Sequence, residues 1–292
     1  MKRFLASIFK SRNSSRTTNG KDTRWADGYP DVGDAHNIVI GTGQSVGIER
    51  GHNEDALLVL TGQLSGADPI PDFGLFVVAD GMGGHRAGEI ASAVSIRTVA
   101  KMLTQETIMQ LLANDRAELD KPLQDLLRDA LEEANRAVVE QVPGGGTTLT
   151  AVVLLGRQMT IGHVGDSRAY YIQDGKTEIL TRDHSLVERL KELGQLTAEE
   201  AAVHPQRNVL YRAIGQGANL EVDISTQSMP SGGGNLLICS DGLWGVVEDD
   251  EIQRIVNSSP HPQIAAQALV TAANNAGGPD NITVILVRFP KD

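Results

Sequence analysis

The chain has 292 residues, with 26 Lys and Arg against 37 Asp and Glu for a formal net charge of −11, and a single cysteine. So acidic a charge argues against a nucleic-acid binder, which needs a basic face to neutralise phosphates, and the single Cys239 excludes an intramolecular disulfide and fits a reducing cytoplasm. Apolar and charged residues at 40% and 22% suit an ordinary globular protein, and no apolar run nears the roughly 18 residues a membrane span needs.

Residues 1–36 read as a tail. Lys2, Arg3 and Lys10 surround Phe4, Leu5, Ile8 and Phe9, an apolar core too short for a secretory signal, so the choice lies between a disordered segment and a membrane or partner tether. From Lys10 to His36 the chain is rich in Ser, Thr, Asn and Gly without hydrophobic period. A single domain is expected over 37–292.

Strands are expected at 38–40 and 56–60, read as a pair around the polar loop Arg50-Gly51-His52-Asn53-Glu54-Asp55. The apolar run Phe76-Val77-Val78-Ala79 then delivers Asp80 into a glycine turn. Helices follow at 86–105 and 119–141, the second with Leu123, Leu126, Leu127, Ala130, Leu131, Ala134 and Val138 on one stripe. Four strands at 148–155, 158–164, 168–173 and 176–181 are joined by Gly156-Arg157 and Asp174-Gly175, of which Asp-Gly is a strong hairpin signal. A helical, flap-like insertion spans 186–213, with Leu186, Leu190 and Leu193 on one face and Thr197 opening a second short helix. Strands at 220–227 and 235–239, helices from Asp249 and Pro262, and a strand at 282–289 complete the chain. This order predicts an α+β fold, a four-layer α-β-β-α sandwich of two antiparallel sheets flanked by helix pairs.

The chemistry is carried by carboxylates. A strand ending in Asp-Gly is ordinarily only a turn, yet Asp80, Asp166, Asp241 and Asp280 each stand beside Gly, Ser or Asn where an apolar segment starts or stops. If those ends converge, two charges about 4 Å apart repel by roughly 4 kcal/mol at an effective dielectric near 20, so the cluster needs cations or protons. Oxygen donors without paired cysteines or a His-Glu-x-x-His spacing suit Mg²⁺ or Mn²⁺ rather than zinc. Arg50 is the candidate partner for an anionic substrate, since guanidinium grips phosphate in a fork, although an arginine in a polar loop is more commonly an ion pair. Other phosphate chemistries fail on the letters: six positions after Cys239 stands Gly245 rather than arginine, and Gly144-Gly145-Gly146-Thr147-Thr148 lacks the P-loop lysine.

Seven segments in this order resemble the metal-dependent PPM (type 2C) serine/threonine protein phosphatases in their bacterial form. They are Arg50 to Asp55, Asp80-Gly81-Met82-Gly83-Gly84-His85, Gly146-Thr147-Thr148, Val164-Gly165-Asp166-Ser167-Arg168, Leu180-Thr181-Arg182-Asp183-His184-Ser185, Ser240-Asp241-Gly242-Leu243 and Gly278-Pro279-Asp280-Asn281. The resemblance implies two metals at one end of the sandwich. Asp80 would bridge them, the Gly81 carbonyl would complete one, Asp241 and Asp280 would hold the other, and Glu54 and Asp55 would act mainly through water. Asp166 with Asp241 would hold a weaker third metal, and Arg50 would bind substrate phosphate. It also implies hydrolysis of phosphoserine and phosphothreonine in the substrates of a serine/threonine kinase, by a cytoplasmic enzyme expected to be a monomer. Two positions depart from the family. Met82 stands where some relatives place a proton-donating histidine, leaving His85 or a metal-bound water as the acid, and Gly245 stands where relatives often have another aspartate for the third metal. His163 and His184 are expected to be structural, and a catalytically silent, phosphoprotein-binding relative is the competing reading.

Overall fold

The computed structural model describes residues 38–64, 70–84, 86–113, 119–229 and 232–290. The expectations for the 1–36 tail and for His85 lie outside them.

Two five-stranded antiparallel sheets form the centre. One has the order β1 (Val39–Ser45), β12 (Ile282–Phe289), β11 (Gly234–Cys239), β8 (Arg168–Gln173), β9 (Lys176–Ile179). The other runs β10 (Asp223–Ser228), β7 (Gln158–Val164), β6 (Leu149–Leu155), β3 (Ile70–Ala79), β2 (Ala56–Leu64). A two-residue ladder joins β4 (Gly81–Met82) to β5 (Gly146–Thr147). Helices α1 (Arg86–Leu103) and α3 (Leu123–Gln141) cover the second sheet, and α7 (Asp249–Ser258) and α8 (Pro262–Asn275) cover the first.

The four layers follow from side-chain alternation. In β3, Leu75 and Val77 pack with Leu127, Leu131 and Val99 under the helices, whereas Phe76 and Val78 face Leu236, Ile238 and Val287 of the opposite sheet. In β11, Leu237 and Cys239 turn the other way, toward Ile252, Val256 and Leu269. Both faces of these strands are covered, which is why their sequences are continuous apolar runs rather than alternating ones. All seven residues of the α3 stripe are buried. At the hairpin between β8 and β9, Asp174 and Gly175 both take positive φ (48° and 75°), as the Asp-Gly signal predicts.

The structure corrects several expectations. β1 and β2 do not pair: β1 runs along β12 and β2 along β3, so the Arg50 to Asp55 loop crosses between sheets. The first helix continues through a π-helical turn (Thr104–Ile108) into α2 (Met109–Ala113). α3 starts at Leu123 rather than 119, because Pro122 disfavours helix in the residue before it. In the 186–213 segment, α4 (Leu186–Glu192) is capped by the Ser185 hydroxyl and α5 (Ala198–Ala202) by a Thr197/Glu200 capping box. Val187 is the residue α4 buries, while Leu193 is 54% exposed. A four-residue helix, α6 (Asp241–Trp244), follows β11 and is too short to leave a periodic signal.

Candidate metal centre

Register brings the carboxylates to one end of the sandwich. Ala56 pairs with Ala79, so Asp55 before β2 and Asp80 after β3 are neighbours. Cys239 pairs with both Arg168 and Val284, placing Asp241 after β11 at the same end as Asp166 before β8 and Asp280 before β12. Asp55 and Asp166 are buried, whereas Asp80 and Asp241 retain partial access.

Each turn is pinned by polar contacts that run across the sheets. The Asp80 N–H donates to Thr148 Oγ1 (2.9 Å), and its carbonyl accepts from the Thr148 N–H (2.9 Å) and the Thr147 hydroxyl (2.9 Å). Thr148 Oγ1 meets Ser167 Oγ at 2.7 Å, tying this turn to that of Asp166. Ser240 Oγ donates to Asp55 Oδ2 (2.8 Å). Asn281 binds the 46–54 loop: its amide donates to the Val46 and His52 carbonyls (2.7 and 2.8 Å), and its Oδ1 accepts from the Glu54 N–H (2.7 Å). Trp244 Nε1 donates to the Asp166 carbonyl (3.0 Å), and the Arg168 guanidinium lies 3.6 Å above the indole while gripping Asp183 with Nε and Nη2.

Two close approaches demand glycine. A Cβ on Gly81 would come within 2.3 Å of the Gly88 carbonyl oxygen and 2.5 Å of that of Glu54, and one on Gly242 within 2.0 Å of the Asn281 carbonyl oxygen. Glu54 itself reaches the first turn of α1, its Oε2 falling 2.0 Å from where a Gly88 Cβ would sit.

The electrostatics are those of a crowded anionic basin. Burial first, then Asp241 and Asp280, push the Asp55 carboxyl up to about 7, against hydrogen bonds to Thr283 and Ser240. Burial, then Asp280, raises Asp241 to about 6. Burial, then Asp55, Asp241, Asp166 and Asp280, holds Asp80 well above the carboxylate range, and burial, then Asp241, does the same for Asp166. Asp55 Oδ1 and Asp241 Oδ1 are buried with no hydrogen-bond partner. Orphaned carboxylate oxygens in such a basin fit hard divalent cations, which neutralise the charge and take oxygen donors. Among the described residues, no three Asp, Glu, His or Cys side chains already converge as a ready cage. Asp280 points to Arg50 Nη2 (2.6 Å) and to the Asn281 N–H (2.8 Å), and Asp55 to Ser240.

The five aspartates expected from the sequence are therefore brought to one end of the sandwich, though not into a ready cage. Arg50, half exposed at the rim, is joined to Asp280 rather than standing apart from it. His163 and His184 are buried in hydrogen-bonded positions, with His163 held neutral, its pKa lowered to about 4 by burial and then by His184. Sequence reasoning assigned no role to Asn281, Ser240, Trp244 or Arg168, whose partners lie as far as 235 residues away in the chain. Their one signal was adjacency to the aspartates. A groove of ≈ 380 Å³ opens beside this end, with Arg50, Asp166, Asp241 and Asp280 on one side and Val187, Lys191 and Arg207 of the 186–213 segment on the other.

Comparison with known proteins agrees. The family profile "Protein phosphatase 2C" matches residues 43–282. The serine/threonine phosphatase stp of Listeria innocua is 37% identical over 239 residues, covering 82% of this chain and 91% of that protein. Protein phosphatase PhpP of Streptococcus pneumoniae is 40% identical over 221 residues, 75% and 87% of the two chains. Among solved structures, the Mycobacterium tuberculosis phosphatase PstP/Ppp aligns with a TM-score of 0.70 at 32% identity over 86% of this chain and 98% of that one. The PstP catalytic domain in complex with two manganese ions aligns with the same score at 31% identity over the same shares. The chain belongs to the protein phosphatase 2C family of metal-dependent serine/threonine phosphatases, in its bacterial form.

Proposed function

We propose that this protein hydrolyses phosphoserine and phosphothreonine in the protein substrates of a serine/threonine kinase, by direct attack of water without a phosphoenzyme. The observation that carries the reading is the basin of five aspartates beside a groove whose rim holds Arg50. Asp80, with the Gly81 carbonyl, and Asp241 with Asp280 would hold two Mn²⁺ or Mg²⁺ ions, with Glu54 and Asp55 orienting water around them. Bound there, such ions supply charge neutralisation and a lowered pKa for the attacking water. Asp166 and Asp241 would form a weaker third site, where Gly245 offers no side-chain donor. Arg50 would exchange Asp280 for substrate phosphate, a fork that remains charged at every working pH. The 186–213 segment would act as a flap that shapes peptide preference. No helix among the described residues is long and apolar enough to cross a membrane, and we assign the enzyme to the cytoplasm as a monomer.

The test is hydrolysis of p-nitrophenyl phosphate and of a phosphothreonine peptide with Mn²⁺, against a phosphotyrosine control. Turnover of the first two is expected, abolished in Asp241→Asn with the fold retained by circular dichroism. Absence of turnover in the wild type would favour a silent binding module, and full turnover in Asp241→Asn would remove the ligand assignment.

A further inference from the structure

A second cavity, of ≈ 310 Å³, is lined by Arg182, His184, Arg189, Tyr211, Arg212 and Asp223 and shares no lining residue with the groove beside the aspartates. Helix α4 is the wall between the two: Val187, Glu188 and Lys191 face the groove, and Arg189 faces the cavity. Residues 182–184 alternate in the same way, with Asp183 lining the groove and its two neighbours the cavity.

Inside the cavity three guanidiniums meet one carboxylate, an arrangement at odds with the net charge of −11 carried by the whole chain. Asp223 is already engaged, accepting from Arg212 Nη1 (2.9 Å) and from His184 Nε2 (3.1 Å). The Gly165 N–H donates to His184 Nδ1 (3.0 Å), which puts the single imidazole proton on Nε2 and leaves the ring neutral. The remaining partners of the arginines come from the rim. Glu192 bridges Arg182 and Arg189, and Glu221, 83% exposed, pairs with Arg212. Solvated pairs of this kind contribute little, so a dianion that engages the guanidiniums in forks displaces them at little cost.

We propose that this cavity is an anion site for a phosphate group, distinct from the catalytic centre, in which Arg182, Arg189 and Arg212 take the phosphate oxygens in place of Glu192 and Glu221. Two sources share that chemistry: inorganic phosphate, which the reaction releases, and a phosphorylated side chain of a protein. The site is connected to the catalytic end by two short routes. His184 bonds Gly165, next to Asp166, and α4 carries groove residues on its opposite face.

Equilibrium dialysis of the Mn²⁺-loaded full chain against radiolabelled inorganic phosphate tests this, with a peptide carrying a phosphonate isostere of phosphothreonine as the second probe. The wild type is expected to bind two equivalents of at least one probe. Arg182→Gln/Arg189→Gln keeps one equivalent and loses the other by about tenfold or more in affinity, while turnover of p-nitrophenyl phosphate stays within about twofold of the wild type. Arg50→Ala retains the equivalent that the double variant loses. Glu192→Gln removes a competing carboxylate and tightens the same equivalent several-fold, a gain that misfolding cannot produce. Free phosphate filling the cavity identifies the product as occupant, and the phosphonate peptide alone filling it identifies a phosphorylated protein segment. A single equivalent abolished by Arg50→Ala, or two that survive the double variant, overturns the proposal, and so does unchanged binding in Glu192→Gln.

Discussion

The ion pair between Arg168 and Asp183 is the strongest single lever on the architecture of the site, and Asp183→Asn isolates it. Asp183 is 6% and Arg168 18% exposed, and three nitrogen–oxygen contacts of 2.7, 3.1 and 3.2 Å join them. Burial opposes the charge on Arg168, but the Asp183 hydrogen bonds keep the guanidinium more firmly protonated than a free one. Removing one partner of such a pair leaves a buried charge uncompensated, which costs about 3–5 kcal/mol. Asparagine preserves the volume and one acceptor, and the indole face of Trp244 still shields the cation, so the lower end, about 3 kcal/mol, is expected. For a domain of this size that corresponds to a fall in Tm of about 6–12 °C. Scanning calorimetry with and without Mn²⁺ measures it. A loss below about 1 kcal/mol, the range of solvated surface pairs, would refute the reasoning. Trp244→Leu closes a double-mutant cycle, in which coupling of about 0.5–3 kcal/mol is expected because the guanidinium touches both partners.

Other perturbations probe the same end of the sandwich. In metal-free protein, Asp241 carries a folded pKa of about 6 against an ordinary 3.8. A carboxyl raised in the folded state binds its proton more tightly there, so stability is lost as pH rises from about 4 through 6. Asp241→Asn should therefore match wild type in chelator near pH 4 and exceed it by up to about 3 kcal/mol at pH 7; excess Mn²⁺ should reverse that order, and urea titrations at the two pH values decide it. Gly81→Ala drives a Cβ against two backbone oxygens; a stability loss of about 1–3 kcal/mol with reduced turnover is expected, and wild-type Tm and activity would contradict the close approach. Asn281→Ala removes three hydrogen bonds to the 46–54 loop and orphans the Glu54 N–H; a cost of about 2–3 kcal/mol is expected, together with faster amide exchange across residues 46–54.

What the sequence disclosed depended on the range over which each interaction acts. The limits of β7, β8 and β12 agree with the sequence reading, because each is an apolar run bounded by its own turn residues, and the α3 stripe is legible because helical period is local. The pairing of β1 with β12 was not: Val39 lies opposite Arg288, and alternation within a strand says nothing about which distant strand lies alongside. The polar ties through Asn281, Ser240 and Trp244 were hidden for the same reason, since each joins segments that meet only after folding. The arginine cavity draws on residues from 182 to 223, of which only Arg182 and His184 fall in a segment the sequence singled out, and that segment said nothing of the other four.

The aspartates are the instructive exception, since they too come from distant segments. Their position relative to the strands is what made them legible. Asp80 and Asp241 follow strands, whereas Asp55, Asp166 and Asp280 precede them. In an antiparallel sheet the end of one strand lies beside the start of its neighbour, so "after" in β3 and β11 and "before" in β2, β8 and β12 name the same edge of the sandwich. A one-residue slip of β11 against β12 would turn Leu236 and Ile238 out of the core between the sheets and Leu237 into it. The side-chain packing on both faces of β11, which such a slip would disrupt, therefore also places Asp241 and Asp280 at the same end of the sheet. The anionic basin, costly in itself, is held together by the packed strands that carry it, which is why substitutions at its aspartates are expected to leave the fold standing while those at Gly81, Asp183 and Asn281 are expected to destabilise it.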